Sequence, residues 1–258
     1  FDGDVGGIER QLRALLRAMP SDVEVSNLVA NDRATTDRHQ RNGYGTVRVA
    51  SFGLLASVAL APSMPAVARQ LHRQHQFDVV HLHFPDPLGH LAALTLPRTV
   101  RRVISWHSDI VKQKWALSLY SPFLRSFVRD ADALIGATPQ HFASSSQIPA
   151  GKAGQIREVV PYGFDPAVLA TSNESRLKRD ELLLQRSARP LILTVGRHVY
   201  YKGLDVLIRA MQGLDAELWI GGHGPLTKTL MQLARDLGLA ERVRFVGFIP
   251  DPLLVAYY

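Results

Sequence analysis

The sequence predicts an α/β protein with two Rossmann-like domains, each a parallel sheet covered by helices on both faces. Short runs of β-forming residues alternate with longer segments in which apolar residues recur at helical spacing. A section rich in proline, glycine and charge separates two such series. The chain has 258 residues, of which 46% are hydrophobic and 21% charged, enough for two domains with their own cores.

The first domain is predicted to cover residues 1–165. Apolar spacing indicates one helix within Ile8–Met19 and another within Trp115–Phe127, with Pro122 inside the second. The apolar stretch Phe52–Leu60 is read as helical, suited either to burial in the core or to contact with a membrane. The candidate strands are Val23–Ala30, Thr46–Ala50, Asp78–His83, Arg102–Trp106, Ala133–Ala137 and Glu158–Pro161.

The second domain is predicted to cover residues 166–258, with the boundary inside the section Pro161–Arg189. Helical faces run along Leu204–Met211 and Leu226–Leu237. Three strands are fewer than the about five or six of a typical sheet, and the first glycine-rich loop has no strand before it. We therefore expect the first strand to be missing and the second domain to be incomplete. The candidate strands here are Leu191–Val195, Ala216–Ile220 and Val243–Val246.

The chain is basic, with a formal net charge of +7 and an isoelectric point near 9.9. The excess is spread over both halves without a basic run of the kind that binds nucleic acid, so we expect no nucleic-acid partner. Such a charge suits anionic small substrates, an anionic membrane surface, or solubility alone. The absence of cysteine excludes disulfides and thiolate chemistry.

Ligands of open α/β sheets bind beyond the carboxyl ends of the strands, so residues that follow strands are the candidate site. Gly6 and Gly7 open the first helix, where they allow close approach of a ligand or simply make a tight turn. His81 and His83 share one face of a strand, which suits a polar lining or packing. A metal site would need further ligands at suitable spacing, and we expect none.

His107 ends the next strand, between Trp106 and Asp109. A histidine in this place can donate a hydrogen bond to a sugar hydroxyl, and the neighbouring indole can cover an apolar sugar face. The alternative is a histidine that is held by the local carboxylate and touches no ligand.

The segment that begins at Gly196 carries the strongest signal. A strand runs into this glycine, and Arg197 and Lys202 follow before a helix begins. Arginine makes planar bidentate contacts with phosphate, and lysine supplies a point charge. The pair therefore predicts a site for a diphosphate leaving group, whose developing charge must be neutralised as its bond breaks.

Two further segments follow strands of the second domain. Gly222 and His223 lie in a glycine-rich turn, where close backbone approach to a ligand and helix capping are both reasonable. Phe248, Ile249 and Pro250 follow the last predicted strand, where a nucleobase could be held.

Six motifs, in this order, resemble the large family 4 of retaining glycosyltransferases. The similarity is strongest to bacterial mannosyltransferases of lipopolysaccharide and exopolysaccharide assembly, and it extends over nearly the whole chain. It implies the GT-B fold, with a cleft between the two domains, and no metal held through an Asp-x-Asp motif. The motifs are Gly6-Gly7-Ile8-Glu9, His81-Leu82-His83-Phe84-Pro85, Trp106-His107-Ser108-Asp109, Val195-Gly196-Arg197 with Tyr201-Lys202-Gly203, Gly222-His223-Gly224-Pro225-Leu226 and Val243-Arg244-Phe245-Val246-Gly247.

The resemblance also implies roles for individual residues. A donor diphosphate would be held in the second domain, and its sugar would be contacted from the first. His107 is the candidate catalytic residue, and four further residues would line the cleft. The implied residues are Arg197, Lys202, Gly6 and Gly7 for the diphosphate, Phe248, Ile249 and Pro250 for the base, and His83, Asp109, Gly222 and His223 for the lining.

One departure concerns glutamates. The family carries two of them eight positions apart in the second domain, on the donor ribose and sugar, and none of the seven glutamates here are so spaced. That element would follow Tyr258, so we expect this chain to bind donor weakly and to turn over little or not at all.

The sequence thus predicts a retaining transferase that moves a hexose, mannose from GDP-mannose, to a lipid-linked glycan without a cofactor. We expect it in the cytoplasm, with peripheral contact to the inner face of the cytoplasmic membrane. A sugar-nucleotide epimerase of the same architecture and a non-catalytic nucleotide-binding module are the alternatives. A dehydrogenase is disfavoured because the glycine spacing that cradles a dinucleotide is missing.

Overall fold

A computed structural model describes residues 7–41, 44–55, 58–111, 114–163 and 170–258. The chain divides into two compact units, Phe1–Phe164 and Asp165–Tyr258. Both alternate strands and helices, which confirms the predicted α/β class.

Unit 1 contains two main sheets and a short hairpin. Its strands are β1 (Ser26–Ala30), β2 (Asp37–Arg41), β3 (Tyr44–Val49), β4 (Leu54–Leu55), β5 (Val58–Ala59), β6 (Val79–Phe84), β7 (Arg101–Trp106), β8 (Ala133–Gly136) and β9 (Ile156–Val159). Its helices are α1 (Gly7–Arg17), α2 (Met64–His75), α3 (Pro87–Leu94), α4 (Lys114–Asp130) and α5 (Pro139–Ala143).

The larger sheet of unit 1 has the strand order β6-β7-β8-β9 and is parallel throughout. The smaller sheet has the order β1-β3-β2, in which β1 is parallel and β2 antiparallel to β3. Because parallel strands all end at one edge, residues that follow β6, β7 and β8 come together there.

Apolar side chains from strands and helices form the core of unit 1. Ile104 of β7 and Leu134 of β8 are buried against Leu124 and Val128 of α4. Helix α3 starts sharply because the carboxylate of Asp86 accepts a hydrogen bond of 2.9 Å from the amide of Gly89. These contacts fix the carboxyl ends of β6 and β7, where the candidate histidines lie.

Unit 2 is a three-stranded parallel sheet with the order β10-β11-β12 and helices packed against it. Its strands are β10 (Leu191–Val195), β11 (Glu217–Gly221) and β12 (Val243–Gly247). Its helices are α6 (Asn173–Leu184), α7 (Leu204–Ala210), α8 (Thr227–Asp236) and α9 (Asp251–Tyr257), with short 3-10 turns at Tyr200–Lys202 and Met211–Gly213. Leu218, Ile220, Ile208 and Leu230 belong to its core.

One sequence-based expectation is corrected by the fold. The stretch Phe52–Leu60 is not a helix, because β4 and β5 pair antiparallel within it. It is also not buried, since Phe52 and Leu54 are exposed. The section Pro161–Arg189, within which the domain boundary is predicted, also contains helix α6, which begins at a capping box between Ser172 and Ser175.

Candidate ligand-binding edges of the two sheets

In unit 1 the carboxyl ends of β6 and β7 bring His83 and His107 together. Nδ1 of His83 lies 3.0 Å from Nε2 of His107, and the two rings stack at 5.2 Å between centroids. His81, two residues back on the same face, stacks on His83 at 4.6 Å and bonds the hydroxyl of Ser105 at 2.8 Å. The strands therefore present one connected imidazole row.

These imidazoles are held neutral. Burial, then the charges of His81 and His107, lowers the pKa of His83 to about 3. Burial followed by His107 also lowers the pKa of His81, and burial followed by His141 lowers that of His107. Within the described residues no group of three or more His, Cys, Asp or Glu is placed to hold a metal ion.

His107 is saturated with partners. Its Nδ1 lies 2.7 Å from the hydroxyl of Tyr162, while its Nε2 is bonded to His83. His141 accepts the amide proton of Thr138 at Nδ1, so its Nε2–H is free to donate to the carbonyl oxygen of His107 at 3.3 Å. A ligand hydroxyl can reach the ring nitrogens of His107 only in place of one of these partners.

A pocket of about 360 Å³ lies beside this histidine. Oδ1 of Asp109 accepts from the indole Nε1 of Trp106 at 3.0 Å and from the hydroxyl of Ser145 at 2.7 Å. The indole is 1% exposed and stacks on Phe84 at 3.9 Å, so it is not the sugar platform that the sequence suggested. The pocket is lined by Trp106, His107, Ser108, Asp109, Thr138, Gln140, His141, Ser144 and Ser145.

The glycines of the first loop are only partly described. Gly6 lies outside the described residues, and Gly7 is the first residue of α1. One turn later, the side-chain Nε2 of Gln11 would lie 3.7 Å from a Cβ added at Gly163. Helix α1 therefore reaches the Tyr162–Gly163 loop, on the His107 side of unit 1.

In unit 2 the strongest predicted segment follows β10. Arg197 and Lys202 are both exposed, and no carboxylate partner is found for either within the described residues. The side chain of Lys202 folds back over the strand end, with its Cε 3.9 Å from the position that a Cβ would take at Gly196. Both cations are therefore available to an anionic ligand at this edge.

The loop that carries Arg197 is packed tightly on the loop after β11. Gly222 has φ +102°, and a Cβ there would lie 2.1 Å from the carbonyl oxygen of Gly196. A Cβ at Gly224 would lie 2.6 Å from the carbonyl oxygen of His198. These two glycines are explained by close backbone packing, which sets the place of the cationic loop.

His198 links the loop after β10 to the loop after β11. Its ring is fully buried, with Nδ1 2.8 Å from the hydroxyl of Thr227, and its backbone N–H donates to His223 at 3.0 Å. Burial lowers the pKa of this imidazole. Sequence analysis missed both His198 and Thr227 as supports of the site, since neither type is distinctive at its position.

The predicted base-binding residues follow β12. The rings of Phe248 and His223 meet edge to face at 6.2 Å, and both are exposed. Ile249 is buried, with its Cδ1 2.6 Å from the position of a Cβ at Gly221, so it can offer a ligand only its backbone. Pro250 is exposed and precedes α9.

Tyr162 and His141 were also missed. Tyr162 follows β9, so the rule that ligand groups follow parallel strands would have identified it. The sequence contains two acidic pairs at Asp-x-Asp spacing: Asp2 with Asp4, which lie outside the described residues, and Asp130 with Asp132. The carboxylates of the second pair are bound by basic side chains: Asp130 by Arg129, and Asp132 by Arg101 and Lys152.

Two α/β units with polar or cationic side chains after their strands have the arrangement with which open α/β sheets bind ligands. Residues 5–149 match the model for Glycosyltransferase Family 4, and residues 177–258 match that for Glycosyl transferases group 1. The chain therefore belongs to the family 4, group 1 glycosyltransferases.

Individual relatives agree with this assignment. The D-rhamnosyltransferase WbpZ of Pseudomonas aeruginosa is 34% identical over 205 residues, which are 78% of this chain and 51% of the relative. The O-antigen chain mannosyltransferase C of Escherichia coli is 29% identical, over 76% of this chain and 52% of the relative. A GDP-mannose-dependent alpha-(1-6)-phosphatidylinositol monomannoside mannosyltransferase of Mycolicibacterium smegmatis is 29% identical, over 98% of this chain and 66% of the relative. The chain spans about half the length of the first two relatives.

Solved structures give the same fold. HepE of Anabaena, solved with UDP and glucose, superposes with a TM-score of 0.57 at 20% identity, over 82% of this chain and 57% of HepE. A glycosyltransferase of Rickettsia africae superposes with a TM-score of 0.56 at 15% identity, over 83% of this chain and 56% of that one. The fold is GT-B, as the sequence predicted.

Proposed function

We propose that this chain is the donor-binding part of a retaining glycosyltransferase that moves mannose from GDP-mannose to a lipid-linked glycan. The reaction would belong to the synthesis of lipopolysaccharide or a related cell-envelope polysaccharide, and no cofactor takes part. The observation that carries the proposal is the pair Arg197 and Lys202, two exposed cations without a carboxylate partner in the described residues, at the end of β10.

The chemistry needs such a pair. When the bond between the sugar and the nucleoside diphosphate breaks, negative charge develops on the leaving diphosphate. Preorganised cations stabilise that charge more than they stabilise the ground state, and so they speed the reaction. The guanidinium of Arg197 suits bidentate contact with phosphate oxygens, and the ammonium of Lys202 adds a point charge.

His107 is proposed to contact the donor sugar, with Asp109 fixed beside it in the pocket. The neutral imidazole suits this task because a neutral ring can give or accept a hydrogen bond to a hydroxyl without adding charge. Retention is proposed from the family resemblance. The anomeric configuration of the product, measured by NMR, would test it, and an inverted product would reject this part of the proposal.

The names of the relatives support the choice of donor. Two are mannosyltransferases, one of them GDP-mannose-dependent, and a third transfers D-rhamnose. HepE, in contrast, was solved with UDP. Its sequence identity to this chain is so low that the likeness supports the shared fold and not the choice of donor. One relative is named for a phosphatidylinositol monomannoside, which is a glycolipid, and this name supports a lipid-linked acceptor. The proposed place of action is the cytoplasmic face of the membrane.

The test is a thermal-shift and calorimetry panel of GDP, UDP and ADP on the 258-residue chain and on Arg197→Ala and Lys202→Ala. Ligand that binds the folded state raises the melting temperature by mass action. We expect GDP to give the largest shift, and each substitution to weaken GDP by about tenfold or more, as loss of one charge-assisted hydrogen bond implies. Arg209→Ala is the matched control, since Arg209 is an exposed arginine near the other end of α7.

The possible outcomes test different parts of the proposal. Equal GDP affinity in wild type, Arg197→Ala and Lys202→Ala would overturn the assignment of the diphosphate site. A shift with UDP but not with GDP would overturn the mannose donor while leaving the diphosphate site in place. Loss of GDP binding in Arg209→Ala as well would mean that general basicity, and not this pair, holds the nucleotide.

A further inference from the structure

Helix α4 carries apolar side chains on two sides. Its inner side packs into the core of unit 1 through Leu124, Phe127 and Val128. Its outer side presents Trp115, Leu119 and Phe123, which are 73%, 71% and 67% exposed. These three residues, called here the α4 stripe, are spaced four apart and therefore lie in one row along the helix.

Such a row needs an explanation. Single exposed apolar residues are common on protein surfaces, but a contiguous row of large ones marks a surface that meets another apolar phase or partner. The core does not explain it, because the core is already filled from the opposite side of the helix.

The charged residues along the stripe are mainly basic. Residues 110–129 contain four basic residues and no acidic one. Arg125 and Arg129 lie on α4 itself, and the arginine at 125 is held in place by a hydrogen bond of 3.1 Å to the carbonyl oxygen of Ser146. Arg129 pairs with Asp130, at the very end of the helix. By sequence, Lys112 and Lys114 precede Trp115.

This charge pattern favours an anionic membrane over a second copy of the chain as the partner of the α4 stripe. A second copy of the chain would bring its own cationic flank against this one, since a two-fold interface places the same patch on both sides. A bilayer with anionic lipids offers the opposite charge together with an apolar interior. Tryptophan also prefers the headgroup level, and each lysine or arginine near an anionic surface adds attraction.

We propose that the α4 stripe inserts into the interfacial layer of an anionic membrane and holds unit 1 on its surface. Contact of this kind is peripheral, in keeping with the finding that no described helix is long and apolar enough to cross a bilayer. The inference relies on the proposed function for its purpose, which is to bring the enzyme to a lipid-linked acceptor. The contact itself is independent of any nucleotide.

The exposed hairpin of β4 and β5 is the competing surface. Phe52 and Leu54 are 66% and 75% exposed there, but residues 50–60 contain no charged side chain. The hairpin thus has apolar area without the electrostatic attraction, which makes it the matched control for the α4 stripe.

The experiment is co-sedimentation of the 258-residue chain with vesicles of phosphatidylcholine alone and of phosphatidylcholine mixed with phosphatidylglycerol. The test variant carries Trp115→Ser, Leu119→Ser and Phe123→Ser together, and the control carries Phe52→Ser with Leu54→Ser. We expect wild type and control to bind the anionic vesicles, and the test variant to bind them at least about tenfold more weakly. Added salt should weaken wild-type binding, because it screens the cations.

Equal vesicle binding by wild type and the test variant would overturn the proposal, as would a loss seen only in the hairpin control. Sedimentation velocity supplies a further arm: a wild-type dimer that becomes a monomer in the test variant would make the stripe a contact between copies. The melting-temperature shift with GDP is measured on the same variants. An unchanged shift shows that they are folded, and it separates failure of the membrane contact from failure of the nucleotide site.

Discussion

The hydroxyl of Tyr162 lies 2.7 Å from Nδ1 of His107, although the two residues are 55 positions apart in the chain. Nε2 of the same imidazole is bonded to His83, on the buried side of the ring. Tyr162 is half exposed, so the phenol is the partner that a ligand can replace. Access of a sugar hydroxyl to His107 is therefore expected to depend on this tyrosine.

Tyr162→Phe should raise the affinity for GDP-mannose and leave the affinity for GDP unchanged. The substitution frees Nδ1 of His107, so that a sugar hydroxyl no longer has to displace an existing hydrogen bond. The gain should be up to about fivefold, the equivalent of one ordinary hydrogen bond of about 1 kcal/mol. Calorimetric titration of both ligands measures it, and GDP serves as the internal control because it lacks the mannosyl group that is proposed to contact the histidine.

A Tyr162→Phe variant that binds GDP-mannose more weakly than wild type would contradict this expectation. It would mean that the phenol holds His107 in its working orientation, or contacts the sugar itself.

The stacked imidazoles of His81, His83 and His107 should make the protein less stable in mild acid. The pKa of His83 falls from 6.5 to about 3 on folding, because burial and then His81 and His107 disfavour its charged form. Between these values the unfolded chain binds a proton that the folded chain does not. The free energy of unfolding therefore decreases as the pH falls from about 6.5, by at most about 1.4 kcal/mol per pH unit for this group.

Urea unfolding at about pH 7 and about pH 5 measures this loss. His83→Asn keeps a nitrogen donor near the position of Nδ1 but removes the titrating ring, and it should reduce the difference between the two pH values. His39→Asn, on the edge strand β2, is the control and should leave the difference as it is in wild type. An equal pH dependence in His83→Asn and wild type would show that the row does not govern acid stability.

The sequence predicts the fold well because its signals are local. Apolar spacing and β-forming runs identify the strands Leu191–Val195 and Arg102–Trp106 to within one residue, since buried parallel strands read as continuous apolar runs. The stretch Phe52–Leu60 was misread because short apolar runs do not by themselves distinguish helix from strand. Only the pairing of β4 with β5 decides it.

The candidate site is predictable to a lesser degree. The rule that ligands bind at strand ends identifies His107, Arg197 and Lys202 without any structure. It does not reveal that the indole of Trp106 is buried, or that Tyr162 lies against His107. Those facts depend on contacts between residues that are far apart in the chain, which local spacing does not encode.

Gly222→Ala should be much more destabilising than Gly238→Ala. Both glycines are in unit 2 and have positive φ, +102° and +68°. A Cβ at Gly238 meets nothing within 4 Å, so its cost is conformational strain alone, about 1–2 kcal/mol. A Cβ at Gly222 would lie 2.1 Å from the carbonyl oxygen of Gly196, so the cationic loop must also move, at about 3 kcal/mol or more in total.

Urea denaturation of the two alanine variants gives this comparison directly. If their losses of unfolding free energy were equal, the loop after β10 would not be packed on Gly222 as described. The GDP titration of Gly222→Ala adds a functional reading, because displacement of the loop also displaces Arg197.

Thr227→Val should weaken GDP binding although Thr227 is not proposed to touch the nucleotide. Its hydroxyl is 2.8 Å from Nδ1 of buried His198 and also bonds the amide and carbonyl groups of Gly224. Valine has nearly the same shape but removes the hydroxyl, so Nδ1 of His198 and the amide of Gly224 lose this partner, at about 1–3 kcal/mol of unfolding free energy. The carbonyl oxygen of Gly224 still accepts from the backbone N–H at position 227. The loop that carries Arg197 then loses its side-chain tie to α8 and keeps only the backbone bond from Leu226 to the carbonyl oxygen of His198, so the cations are held less firmly.

Two variants separate this positioning role from a general loss of stability. Thr227→Ser keeps the hydroxyl and should restore both GDP affinity and unfolding free energy to near the wild-type values. Thr229→Val, two positions further along α8, removes an exposed hydroxyl and should change neither. GDP affinity is measured well below the melting temperature of every variant, where each is fully folded. A Thr227→Val protein that is less stable but binds GDP with wild-type affinity would show that the cationic loop keeps its shape without His198, and that this histidine serves the fold alone.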